Sequence, residues 1–257
     1  MILRVYLIYD KGMEKIILFV TARCDGECSH CLHRCTNQGE DMSNEILMKS
    51  IKLIKKIKPF VITVSGGEPS LHPEIINIAN TLKKELPNTH ISLISNGSFL
   101  KNDSLTKELK KTFRTIQITY DKRYYPNFVD LKKAKSLSIL TEDNIRRVDA
   151  YGRAIDNNIV NSDRKSPYCF NIRSCIKLSG LDLCTANKTL EMQHKFCACS
   201  IRPNGDIGIS ESMLCPIVGT INNSIEEITF NIRNFKCKEC IYAKKLYSKG
   251  LPYAAVF

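Results

Sequence analysis

No stretch of this 257-residue chain is long and apolar enough to cross a bilayer. The longest apolar run near its start, Ile16–Val20, falls far short of the ~20 residues that a spanning helix needs. The opening MILRVYLIYDKGMEK also lacks the apolar segment and small-residue cleavage site of a secretory signal. A cytoplasmic protein with no membrane role is the expectation. There is no internal repeat, no low-complexity linker, and no paired basic and aromatic stripe of the kind that tracks single strands. Nucleic acid is therefore not an expected partner. Acidic side chains are short in supply: 26 stand against 38 basic ones, a formal charge of +12. That excess suits an acidic peptide, a phosphorylated substrate or an acidic electron-carrier protein.

What the chain has in excess is cysteine, with twelve. A chain of this length buries roughly 70–75% of its extended surface, so it needs neither disulfides nor metals to be stable. In a reducing compartment an excess of cysteine points to metal binding or catalysis. Some of the twelve are expected to be ordinary buried apolar residues.

The apolar pattern alternates between strand and helix. Residues 16–21 predict a buried strand, followed by a cysteine-rich loop from Arg23 to Gly39. Ser43 caps a predicted helix with Ile46, Leu47, Ile51, Ile54 and Ile57 on one face, closed by Pro59. Further strands are expected at 60–65, 90–95, 115–119 and 144–149. Helices are expected from Pro73, over 105–111, and around Leu131, Ala134 and Leu137. This is the pattern of a parallel sheet covered by helices, whose chemistry collects at the C-terminal strand ends. The cysteine loop, Gly66–Gly67 and Asn96–Gly97 all fall at such ends. After about residue 160 the pattern changes. Residues 202–207 predict a hairpin with Asn204–Gly205 at its tip, and 222–233 a short helix.

Cys24, Cys28 and Cys31 form a CxxxCxxC group in the first loop. Three such thiolates can hold three irons of a cubane and leave the fourth iron open, or contribute to a zinc site. Zinc would take a fourth ligand from Cys35, His30 or His33. The group is followed, one strand later, by Ser65-Gly66-Gly67-Glu68-Pro69. Together these resemble the radical S-adenosylmethionine (SAM) superfamily.

The resemblance implies an α/β fold: a partial (β/α)6 TIM-like barrel with a small C-terminal cysteine-rich auxiliary-cluster domain. The chain divides into an N-terminal extension (1–15), the partial barrel (16–160) and the cysteine-rich region (161–257). It implies that Cys24, Cys28 and Cys31 are catalytic ligands of a [4Fe–4S] cluster whose fourth iron takes the amino and carboxylate groups of SAM. Gly66, Gly67 and Glu68 would meet the SAM amino group, with Glu68 pairing with it or shaping the loop. Ser95, Asn96 and Gly97 match another family contact with SAM. His30 stands where the family has an aromatic residue, beside adenine. Residues 146–154, RRVDAYGRA, resemble a segment in which Gly152 approaches adenosine and Arg153 binds carboxylate or lies at the surface.

Eight of the twelve cysteines follow residue 168. That tail resembles the auxiliary-cluster domains called SPASM or twitch. The resemblance implies an auxiliary [4Fe–4S] cluster on Cys199, Cys215, Cys237 and Cys240. Cys197 competes with Cys199, on the argument that one of the two faces a given cluster. A structural zinc site on the same thiols is the alternative.

The implied activity is reductive cleavage of SAM, with a 5′-deoxyadenosyl radical that removes a substrate hydrogen. Such a cofactor carries the difficult chemistry, so no histidine triad or carboxylate pair is assigned. The first expectation is a peptide-modifying enzyme making an oxidative crosslink, a dehydrogenation or an epimerisation. The alternative is a dehydrogenase of a sugar or alcohol, and a further one is a structural zinc-binding protein. A flavodoxin- or ferredoxin-like electron donor is an expected partner. With the first core strand near residue 16, a separate peptide-recognition protein would supply substrate recognition.

Overall fold

The computed structural model describes residues 15–121, 123, 129–143, 152–159, 199–208 and 217–234. Strand β1 (Lys15–Thr21) is buried on both faces apart from its first residue, as a central parallel strand must be. Ile16, Leu18 and Val20 belong to the large apolar cluster under the helices. Ile17 and Phe19, also buried, point to the opposite face.

Helix α1 (Asn44–Ile57) starts where the sequence predicts, with the Ser43 hydroxyl accepting from the amide of Ile46 at 3.3 Å. It ends at Lys58 in the left-handed region, one residue before Pro59. Strand β2 (Val61–Gly66), helix α2 (Ile75–Glu85), strand β3 (His90–Ser95), helix α3 (Asp103–Thr112) and strand β4 (Thr115–Tyr120) follow. Helix α4 (Leu131–Ser136) leads into strand β5 (Leu140–Asp143), and a short helix α5 spans Arg153–Asp156. The fifth strand thus lies before the 144–149 segment chosen from sequence, which is outside the described residues. The period-two signal there is short, and Leu140 stands 57% exposed on the sheet's edge strand, so apolarity does not mark this strand.

Strands β1 to β5 are parallel neighbours in chain order. On the other side of β1 lies β6 (Cys199–Ile201), also parallel, followed by antiparallel β7 (Asp206–Gly208) and β8 (Ile217–Thr220). The sixth parallel strand among the described residues therefore sits beside β1, on the side away from β2 to β5, with β7 and β8 beyond it. The β6–β7 turn is the predicted hairpin. Gly205 takes φ +87°, and the amide of Arg202 donates to the carbonyl of Asp206. Helix α6 (Ile225–Asn234) packs on β8, with Ile228 of α6 against Gly219 of β8.

The sheet curls as a partial barrel does, and residues 152–157, which follow β5, hydrogen-bond directly to the loop that follows β1. Helices cover one face with an apolar core. The other face carries polar pairs, such as Thr63 with Ser92 at 3.1 Å and Gln117 with Glu142. This is the partial (β/α) barrel that the family resemblance implied, built on the parallel sheet that the alternation predicted. No described helix is long and apolar enough to cross a membrane.

Candidate functional site

The cysteine loop, residues 22–40, is a closed lasso at the C-terminal end of β1. Its two ends are tied by the amide of Met42 to the Val20 carbonyl (2.8 Å), Ala22 to Glu40 (2.7 Å) and Cys24 to Thr36 (2.7 Å). The Thr21 hydroxyl donates to Asp41 at 2.5 Å, and Arg23 pairs with the same carboxylate. Positive φ at Glu27 (+45°) and Arg34 (+50°) turns the chain inside the lasso. These turns crowd Cys24, Cys28 and Cys31 together.

The thiols influence one another. Burial pushes Cys24 up to about 11, against the amide of Gly26, which donates to its sulfur at 3.3 Å. Burial, with the neighbouring Cys24 and Cys31, pushes Cys28 up to about 12. Cys31 goes the other way, to about 6, because the Cys35 thiol donates to it; Cys35 is raised in return. A metal or cluster would have to displace protons from Cys24 and Cys28 as it bound.

The double glycine sits against this loop. The amide of Gly67 donates to the Thr21 carbonyl at 2.8 Å and that of Glu68 to the Arg23 carbonyl at 2.7 Å. A Cβ on Gly67 would meet the Arg23 oxygen at 2.4 Å and the Cys24 Cβ at 2.9 Å. Glycine is thus required for the approach of two backbones. Gly67→Ala is expected to cost about 2 kcal/mol and to lower Tm by about 5 °C. Thermal unfolding of the metal-free chain followed by circular dichroism measures it.

Glu68 ties the turn after β2 to the end of β3. It is fully buried, and its carboxylate accepts from the amide (3.0 Å) and hydroxyl (2.5 Å) of Ser70, the hydroxyl of Ser95 (2.8 Å) and the amide of Asn96 (2.7 Å). Burial pushes its carboxyl up, and these donors pull against that. Asn96 continues the chain of contacts to the cysteine loop, since its side-chain amide donates to Asp25 at 2.9 Å and lies 4.0 Å from the Cys24 sulfur. Gly66, Gly67, Glu68, Ser95, Asn96 and Cys24 are thus brought together at the ends of β1, β2 and β3.

The other candidates are placed as follows. His30 is half-buried and held below the ordinary imidazole value by burial, in the field of Asp121 and Arg123. Gly152 and Arg153 lie on the cysteine loop: a Cβ at Gly152 would stand 2.2 Å from the Cys31 carbonyl oxygen. His33 packs edge-on against Phe19 with centroids 5.0 Å apart, and burial pushes it down to about 4. Cys199 lies 2% exposed in the helix-facing core, paired in register with Ile16. Cys197, Cys215, Cys237 and Cys240 lie outside the described residues. Strand alternation has period two, so positions 197 and 199 would share a face, and it cannot choose between them.

Sequence reasoning missed Asp25, Asp41, Asp121, Arg123 and Asn157. Asp121 is 2% exposed just past β4. Burial raises its carboxyl, but bonds from Arg123 outweigh this and hold it below the usual range. Its place at a C-terminal strand end was a usable signal.

Residues 18–123 match the model of the radical SAM superfamily. Over 96 residues the chain is 27% identical to a probable GTP 3′,8-cyclase of Saccharolobus solfataricus, a match covering 37% of this chain and 30% of that protein. The chain thus spans under a third of that curated relative's length. The crystal structure of BtrN in complex with AdoMet and 2-DOIA superposes with a TM-score of 0.56 at 12% identity, covering 95% of this chain and 89% of that one. Streptococcus suis SuiB bound to S-adenosylmethionine gives 0.56 at 13%, covering 98% and 74%. Residues 18–123 thus match the radical SAM superfamily, and the chain shares its fold with these solved structures.

Proposed function

We propose that this chain is a SAM-cleaving radical enzyme whose Cys24, Cys28 and Cys31 hold three irons of a [4Fe–4S] cluster. The observation that carries the reading is the lasso itself. It gathers three thiols at the end of β1 and sets the first of them, Cys24, against Gly67 at the end of β2, inside the matched segment. The donor set fits. Three soft thiols in one short loop are the donors that an iron–sulfur cluster takes, each at a different iron.

Such a cluster with SAM on its open iron supplies a 5′-deoxyadenosyl radical that removes a hydrogen atom from substrate. The chain's residues do the rest. Gly66 and Gly67 keep the end of β2 close enough to the loop for both to face one ligand. Glu68, Ser95 and Asn96 hold the end of β3 beside Cys24. His30, next to Cys31, offers a ring to the adenine, and Asp121 with Arg123 sets its charge environment. The polar sheet face opposite the helices suits a hydrogen-bonding substrate.

The substrate reading is a peptide, which receives an oxidative crosslink, a dehydrogenation or an epimerisation. The likeness to SuiB, which has also been crystallised bound to precursor peptide SuiA, supports it. The likeness to BtrN, crystallised with AdoMet and 2-DOIA, favours a small-molecule dehydrogenase as the second reading. A flavodoxin- or ferredoxin-like donor in the cytoplasm would supply the electron, and a separate protein would supply peptide recognition. Cys199, Cys215, Cys237 and Cys240 would hold the auxiliary cluster. For this the core-facing Cys199 thiol must reach a site on the helix side of the sheet.

Anaerobic reconstitution with iron and sulfide, followed by SAM and dithionite, tests the reading. The expected result is 5′-deoxyadenosine, with about eight irons per chain if the auxiliary cluster is present and about four if it is not. Zinc without iron, or no 5′-deoxyadenosine, would overturn it. Mass spectrometry of a treated peptide then separates loss of two hydrogens from an unchanged mass with solvent deuterium uptake.

A further inference from the structure

We propose that residues 152–157 are a latch on the cysteine loop, and that Arg153 is a positioning residue for the three thiols. This rests on the cluster reading above. The contacts are concentrated. The backbone amide of Arg153 donates to the Cys31 carbonyl at 3.0 Å. Its guanidinium donates to the Cys28 carbonyl at 3.1 Å and to the Cys35 carbonyl. The side-chain amide of Asn157 donates to the Ser29 carbonyl at 2.7 Å. Arg34, on the loop, returns a two-pronged pair to Asp156 at 2.7 and 2.8 Å.

Four carbonyls of the loop therefore end on one short segment that lies more than a hundred residues away in sequence. Two of them belong to Cys28 and Cys31 themselves. Pinning a residue's carbonyl holds the planar peptide unit that follows its Cα, and so restricts the rotation that would swing its Cβ and thiol. The guanidinium fork is suited to this, because its planar donors address two acceptors at once. Gly152 allows the docking. Its φ of +55° and its 2.2 Å virtual contact with the Cys31 oxygen leave no room for a side chain. The latch also closes the curled sheet, since it joins the segment after β5 to the loop after β1.

The test uses the full chain, with and without its reconstituted cluster. Iron release to excess chelator is expected to be at least about tenfold faster in Arg153→Ala, within the range that lost outer contacts of metal ligands produce. Arg153→Lys should fall between the two, because an ammonium keeps the charge and loses the fork. In the cluster-free chain, amide exchange across 24–36 should quicken in Arg153→Ala while β2 and β3 exchange as before. Leu109→Ala, buried in the helix-facing core, is the control for general destabilisation. Wild-type release and exchange rates in Arg153→Ala, or release no faster than in Leu109→Ala, would sink the latch. Should Arg153→Ala fail to fold, Asn157→Ala decides it: about threefold faster release supports the latch and an unchanged rate overturns it. If the wild-type chain takes up no iron, the cluster reading falls, and the exchange measurement still decides whether the latch exists.

Discussion

With Cys24, Cys28 and Cys31 all changed to alanine, the reconstituted chain is expected to make no measurable 5′-deoxyadenosine. Loss of a neighbouring contact alone costs ten- to a hundredfold in comparable metal sites, so loss of all three ligands should exceed about a hundredfold. Iron content should drop by about four per chain, one cubane. The fold should survive. In the metal-free chain Cys24 and Cys28 are neutral thiols at pH 7, with values near 11 and 12. The backbone ties of the lasso, such as Cys24 to Thr36, involve no sulfur. Thermal unfolding of the metal-free variant should therefore lie within a few degrees of wild type. Retained 5′-deoxyadenosine would remove the cluster from this loop, and an unfolded variant would mean that the thiols are structural.

Glu68→Ala is expected to be the most destabilising single change at the site, by about 3 kcal/mol, from stranded buried donors. The carboxylate takes four hydrogen bonds, and no water reaches it in exchange because it is 0% exposed. Its removal strands the amides of Ser70 and Asn96, while the two serine hydroxyls can turn elsewhere. Glu68→Gln keeps the volume but sets an amide –NH2 against at least one of these donors, so it should recover only part of the loss. Denaturant unfolding of both variants measures the order. A Glu68→Ala chain as stable as wild type would show that the bridge between the ends of β2 and β3 does not matter. If Glu68 instead acted only on SAM, stability would be unchanged and SAM affinity alone would fall.

Much of the frame was legible because it is local. Helix α1 is written in the Ser43 cap, the spacing of Leu47, Ile51 and Ile54, and Pro59. The hairpin at Asn204–Gly205 is written in its turn residues. Strand β5 at Leu140–Asp143 was not read because an exposed edge strand carries little apolar signal, as Leu140 shows. The position of β6 beside β1 was not legible at all. A parallel strand's neighbour depends on which edge the returning chain reaches, and no local period encodes that.

For the site, the chain by itself determined the chemistry on offer: three closely spaced thiols in one loop, and a glycine pair one strand later. Spacing along a backbone suffices for that, because ligands a few residues apart cannot separate far. Only the tertiary structure decided what the other polar groups do. It turned Glu68 inward to Ser95 and Asn96, set Asp121 and Arg123 beside His30, and committed Arg153 to the carbonyls of Cys28 and Cys35. The reason is distance along the chain. A side chain's partner lies tens to more than a hundred residues away, and the curl of the sheet chooses it.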